Sequence, residues 1–138
     1  MLRVETKGRA RALQILYAWE LQGGRRPIPV VVSGVAHLTG PEPLVFDRAE
    51  ELASGVVKEI DSLDAEVAQA ADNWRMSRIA VVERNILRLG IHELRLGAVN
   101  PKVAINEAVR LAHWFGGVRA PAFVNGILDG VAHSLGRL

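Results

Sequence analysis

Apolar residues recur every three or four positions along most of this chain, the pattern of amphipathic helices that pack face to face. The clearest instance runs from Pro101 to Asp129. Ala104, Ala108, Leu111, Ala112 and Phe115 fall on one side of a helix, with Ile105 and Val109 widening the stripe. Pro101 opens it at a first position, where no N–H is needed. Gly116-Gly117 is expected to stop it by taking the left-handed backbone that other residues resist. A second helix is predicted from Pro121, with Val124, Ile127, Leu128, Val131 and Leu135 as its stripe.

The same period extends to both sides. A first helix is predicted over Thr6–Gln22, capped by Thr6, with Ala12, Leu13, Leu16 and Trp19 inward and Tyr17 flanking them. Gly23–Pro43 is punctuated by glycine and proline, and its Val30-Val31-Val32 run suits a strand. An isolated strand would leave its backbone unpaired, so a short helix from about Pro29 to Leu38 is expected instead. From Leu44, the residues Ala49, Leu52, Ala53, Val56, Ile60, Leu63, Val67 and Ala70 hold one face to about Asp72, with a break expected at Asp61-Ser62. After a turn at Ser77–Val81, a helix over Val82–Leu96 turns Val82, Ile86, Leu87, Gly90, Ile91 and Leu94 inward. Its other side carries Asn85, Arg88, His92 and Arg95. Gly90 invites close approach by another helix, and Gly97 ends the element. The pattern predicts an all-α domain of six or seven helices.

Composition narrows the class. The chain has 138 residues, enough for about one domain, and no cysteine, which excludes disulfides and thiolate metal sites. No apolar run approaches the ~18 residues of a membrane span, and the N-terminus lacks a signal-peptide core. A cytoplasmic protein is the default expectation. The net charge of +2 conceals a partition: residues 1–41 carry six Lys/Arg against two Asp/Glu, residues 42–72 two against nine, and residues 73–138 nine against four. Lys7, Arg9 and Arg11 crowd the start of the first helix, where the helix dipole disfavours cations. Such a placement is tolerated most readily where those charges meet an anion; plain solvation is the alternative that charge alone leaves open.

His37, His92, His113 and His133 match no metal-ligand spacing and read as surface or half-buried side chains. Glu50-Glu51 and Asp61/Asp64 read as a solvated helix face, not a carboxylate pair across a cleft. The double glycines at 23–24 and 116–117 lack the strand–loop–helix context of a phosphate loop, and no Ser–His–Asp order can be defended. A binding protein without cofactor or metal is expected, not an enzyme.

Four blocks carry a resemblance to a known family. Arg9–Leu21 (RARALQILYAWEL), Val82–Leu94 (VERNILRLGIHEL), Pro101–Gly117 (PKVAINEAVRLAHWFGG) and Phe123–Asp129 (FVNGILD) resemble, in order, the helices of the NusB family of bacterial transcription antitermination factors. The resemblance covers nearly the whole chain except Gly23–Pro43. It implies two small helical bundles, about residues 1–72 and 73–138, and no catalytic activity. It further implies binding to the single-stranded boxA element of ribosomal RNA operons together with NusE, a small-subunit ribosomal protein, in an RNA polymerase antitermination complex. Some family members self-associate, so a homodimer remains open.

Carried over by position, Lys7, Arg9 and Arg11 fall in the family's arginine-rich RNA-binding segment. Phe123 takes an aromatic position near RNA, and Tyr17 and Glu83 match positions towards NusE and RNA. Such chemistry suits single-stranded RNA, which needs cations along its phosphates and a flat group for stacking. Two departures stand out. Glu5 and Thr6 interrupt the N-terminal arginine run, and Val118-Arg119-Ala120-Pro121 replaces a commonly acidic segment. Arg119 is therefore expected to compensate for the thinner N-terminal cluster as a further RNA contact. Two rival functions follow from the same features. One is a NusB-like domain of a ribosomal RNA methyltransferase, for which a chain ending at Leu138 leaves no room unless it is a fragment. The other is a helical interaction module without an RNA role.

Overall fold

Apolar stripes separated by Gly- and Pro-bearing turns give seven α-helices in the computed structural model, which describes residues 3–71 and 76–138. They are α1 (Val4–Leu21), α2 (Ile28–Thr39), α3 (Pro43–Lys58), α4 (Ile60–Ala70), α5 (Val81–Leu96), α6 (Pro101–Phe115) and α7 (Ala120–Ser134), with a short 3-10 turn at Met76–Arg78. No strand occurs among the described residues, and no helix is long and apolar enough to cross a membrane. The helices group into two compact units, Met1–Lys58 and Glu59–Leu138. The boundary expected at residues 72 and 73 lies outside the described residues, and the division between units falls earlier, because α4 packs on α5 and α7.

In the first unit α1 lies chiefly against α3, and α2 touches both. Ala12, Leu13, Ile15, Leu16 and Trp19 meet Val45, Phe46, Ala49, Leu52 and Val56 in its buried interior. The helices approach closely at Gly8, where a Cβ would stand 2.9 Å from Arg48 Cγ. Arg48 thereby reaches Glu5 at 2.8 Å, and also holds Glu51 at 3.2 Å. Thr6 does not cap α1: the helix begins two residues earlier and buries Thr6 within its first turns. The valine run is helical, as the unpaired-backbone argument requires, with Pro29 in the first turn of α2 and Val31, Val32 and Val35 buried.

The second unit is built around α5, whose residues from Asn85 to Leu94 are all buried. α6 and α7 cover its apolar side, and the close approach anticipated at Gly90 is made by Leu128 of α7, whose Cδ1 would lie 2.6 Å from an added Cβ. The polar side of α5 is equally covered, by α4. Arg88 donates through Nε and Nη2 to the two carboxylate oxygens of Asp64 at 2.6 and 2.8 Å, and through Nη1 to Asn85 Oδ1 at 2.9 Å. A buried guanidinium demands this treatment, since an unpaired charge away from water costs several kcal/mol. Arg95 donates to Ser62 Oγ at 2.9 Å and to Glu66 at 3.2 Å, while His92 Nδ1 lies 3.8 Å from Glu59. Reading His92 as surface or half-buried, and Asp64 as part of a solvated face, is thus corrected: the acidic α4 is the electrostatic complement of α5.

Two helix ends refine the glycine argument. Gly97 adopts the left-handed conformation after α5 (φ 68°), as expected. Gly116 does not; it is extended (φ −92°, ψ 177°). What demands glycine there is space, because a Cβ would sit 2.5 Å from that of Ala120 and 2.9 Å from the Ala112 carbonyl. Asn100 caps α6 by accepting the Lys102 N–H at 2.8 Å. Phe115, expected inward, is 39% exposed at the helix end, and Leu135 lies just past α7 and is also exposed.

Candidate nucleic-acid interface

Three of the sequence-predicted residues come together in the second unit. Glu83 belongs to the first turn of α5, Arg119 is the N-cap of α7, and Phe123 lies one turn further along α7. With Arg78, Ile79 and Ala80 they line a groove of about 290 Å³. That volume sits near the lower limit of small-molecule pockets, which span roughly 300–1,000 Å³. One flat ring fits such a space far better than a dinucleotide cofactor.

Local structure fixes each wall. Arg84 donates from Nη1 to the Ile79 carbonyl at 3.2 Å, which pins the segment bearing Arg78 and Ile79 to α5. The tight turn permitted by Gly116 closes with the Ala120 N–H on the Gly117 carbonyl at 3.0 Å, and Phe123 N–H on the Arg119 carbonyl at 3.1 Å starts the helix. Ala120 is buried and anchors this corner, leaving Arg119 exposed and Phe123 half-buried at the groove. Both α5 and α7 begin here, neither with a side-chain cap, so their first N–H groups favour negative charge nearby.

Electrostatically, the groove differs from its surroundings. Arg78, Arg119 and Glu83 make no ion pair or side-chain hydrogen bond with another described residue. Elsewhere in the same unit Arg88 and Arg95 are held by α4, and Arg110 pairs with Glu107 at 3.4 Å. Two guanidinium groups without an ion pair among the described residues, an aromatic ring and one carboxylate thus line a space sized for a ring.

The remaining predicted residues lie on α1 in the first unit, in a different condition. Lys7 Nζ donates to Glu42 at 3.1 Å. Arg11 donates to Gln14 at 2.8 Å, lies 3.8 Å from Glu42, and has its guanidinium 5.8 Å from the centre of the Phe46 ring. Arg9 is only 3% exposed and is engaged within the protein, so it does not join its neighbours at the surface. The helix explains this: Arg9 falls on the stripe of Ala12, Leu13 and Leu16 that faces the interior. Tyr17 is 40% exposed on α1. Arg78 escaped the sequence reading, because nothing in the residues around it distinguishes it from other arginines; only the folded groove singles it out.

Among the described residues no group of three His, Asp or Glu side chains is placed to hold a metal ion. Helical architecture and a cation-and-ring groove define a small all-helical binding protein. Comparison with known proteins narrows the class. The family model for the NusB family matches residues 6–133, and the chain belongs to that family. It is 39% identical over 132 residues to the transcription antitermination protein NusB of Sorangium cellulosum, covering 95% of this chain and 93% of the relative. Its fold superposes on T. maritima NusB with a TM-score of 0.84 at 25% identity, over 96% of this chain and 93% of that one. A chain from the crystal structure of antitermination factors NusB and NusE in complex with dsRNA gives a TM-score of 0.85 at 26% identity, over 97% and 99%. As a NusB-family protein the chain is not an enzyme.

Proposed function

We propose that this chain is a transcription antitermination factor that binds boxA RNA of ribosomal RNA operons together with NusE, inside an RNA polymerase complex in the bacterial cytoplasm. The observation that carries this is the groove of the second unit, where Arg78 and Arg119 stand beside Phe123 without an ion-pair partner among the described residues. In this reading the two arginines face phosphates and Phe123 offers a ring for stacking, a contact worth ~1–3 kcal/mol per base. Lys7 and Arg11 add a second set of cations once RNA displaces Glu42, and Tyr17 offers α1 a contact for NusE. Membership in a family whose relatives carry the antitermination name, and likeness to a chain crystallised with NusE and dsRNA, supports the same reading.

A gel shift on a boxA oligonucleotide, with and without NusE across a salt series, tests it. The expected result is binding that tightens with NusE and weakens as salt rises, by about 0.7 in log–log slope for each phosphate neutralised. If no salt-dependent RNA binding occurs even with NusE present, the chain is a helical interaction module instead.

A further inference from the structure

Among the α-helices of the described residues, α2 alone carries no charged side chain. From Pro27 to Pro41 the chain has no Asp, Glu, Lys or Arg. One side of the helix is accounted for, because Val31, Val32 and Val35 are buried where α2 packs on α1 and α3. The other side faces solvent and is apolar as well. Val30 is 51% and Leu38 85% exposed, and Gly34 lies between them on the same face. Pro29, Ser33 and His37 complete that face, so His37 is its only ionisable group. A surface helix ordinarily turns charge outward, and one that is apolar on both sides is covered on both. Gly34 adds to this. Glycine inside a helix costs up to ~1 kcal/mol against alanine, yet nothing within the chain requires it here, since a Cβ would meet no atom within 4 Å. At Gly8 and Gly90 a neighbouring side chain fills that space; at Gly34 the approach is open from outside.

The spacing says what fits. Val30 stands four residues before Gly34 and Leu38 four after it. A twofold axis through Gly34 therefore sets Val30 of each copy against Leu38 of the other, with glycine against glycine at the crossing point. The same axis joins ends of opposite sign. Arg25 and Arg26, both exposed and in no ion pair among the described residues, precede α2, where its own dipole disfavours them. In an antiparallel pair they meet the carboxyl end of the other α2, whose last carbonyls favour cations. We infer that the outer face of α2 is a self-association surface, on which a second copy of this chain packs antiparallel about Gly34. An unlike partner would need neither the symmetric spacing nor the two arginines at one end. The 12 residues of α2 span about 18 Å, and one such crossing buries less than the ~1,200 Å² of stable complexes, so the dimer is expected to be micromolar or weaker.

Sedimentation velocity of the full chain, from about 1 μM to about 1 mM, tests this. The wild type is expected to pass from monomer to dimer across the series. Leu38→Glu should weaken association by about tenfold or more, because each dimer would then bury two carboxylates. The melting temperature of the dilute variant should not change, since Leu38 packs against little of its own chain. Gly34→Ala separates self-association from a structural role. It should raise the melting temperature of the dilute protein, as alanine favours the helix and its Cβ meets open space, yet weaken the dimer. The absence of cysteine permits a direct check of orientation. With a short bismaleimide, Val30→Cys mixed with Leu38→Cys should give more cross-linked dimer than either variant alone. The inference is overturned by a wild type that stays monomeric throughout, by a dimer that Leu38→Glu or Gly34→Ala leaves intact, or by cross-linking of like with like. None of these readouts involves RNA, so the result stands apart from the proposed function.

Discussion

The start of α1 and the groove of the second unit both look cationic in the sequence, yet they hold their charge in opposite ways. On α1, Lys7 and Arg11 share Glu42, and Arg9 is buried. In the groove, Arg78 and Arg119 have no such partners among the described residues. Counting basic residues ranks α1 first; counting unpaired ones ranks the groove first. Charge available to a ligand is what remains after the protein has neutralised its own, because a cation already paired must lose one partner to gain another.

The largest effect should separate structural arginines from free ones. Arg88→Ala would remove the two-pronged hold on Asp64 and open a buried space at the centre of the second unit. Urea denaturation should show a loss of about 3 kcal/mol. Arg119→Ala, on an exposed corner, should stay within about 0.5 kcal/mol of the wild type. Equal stabilities for the two variants would mean that pairing does not distinguish them.

Next in size is the response of RNA affinity to the groove. Arg119→Asp replaces a free cation by an anion, so boxA affinity at moderate salt should fall about tenfold, with the salt slope reduced by roughly 1. Unchanged affinity and slope would remove Arg119 from the interface and leave α1 as the better candidate. The smallest effect belongs to α1 itself. Glu42→Gln frees Lys7 and Arg11, and boxA binding should tighten severalfold at low salt while stability shifts by less than ~1 kcal/mol, as for other exposed pairs. Weaker binding in this variant would mean that Glu42 holds the two cations in a useful place instead of competing for them.

Much of the fold could be read from spacing alone. The apolar stripes of α3, α6 and α7 are periodic enough to name most of their buried residues, Phe115 and Leu135 at the helix ends excepted, and α2 was recoverable because a lone strand among helices has nowhere to place its hydrogen bonds. Periodicity failed on α5. Asn85, Arg88 and His92 have the spacing of a solvated face, and only the arrival of acidic α4 buries them. Binary patterning assumes that polar means outside, which breaks down where two polar faces satisfy each other. Gly116 was legible as a stop but not for its reason, since crowding by Ala120 and Ala112 is a tertiary fact.

The candidate site was half legible. Phe123, Glu83 and Arg119 stood out by motif and departure from motif, and the fold gathers all three. Arg78 needed the groove to be noticed, and the burial of Arg9 needed the helix phase. Both points share a cause: a sequence reports which charges are present, whereas the fold decides which are left over for a ligand.

The most direct test of that principle is the salt dependence of boxA binding, with NusE present, for two double variants of equal charge loss. Arg78→Gln with Arg119→Gln should lower the log–log slope by roughly 1.4, the value for two phosphates released from single-stranded RNA. Lys7→Gln with Arg11→Gln should lower it by less than half as much. The reverse order would place the principal phosphate contacts on α1 and contradict the account.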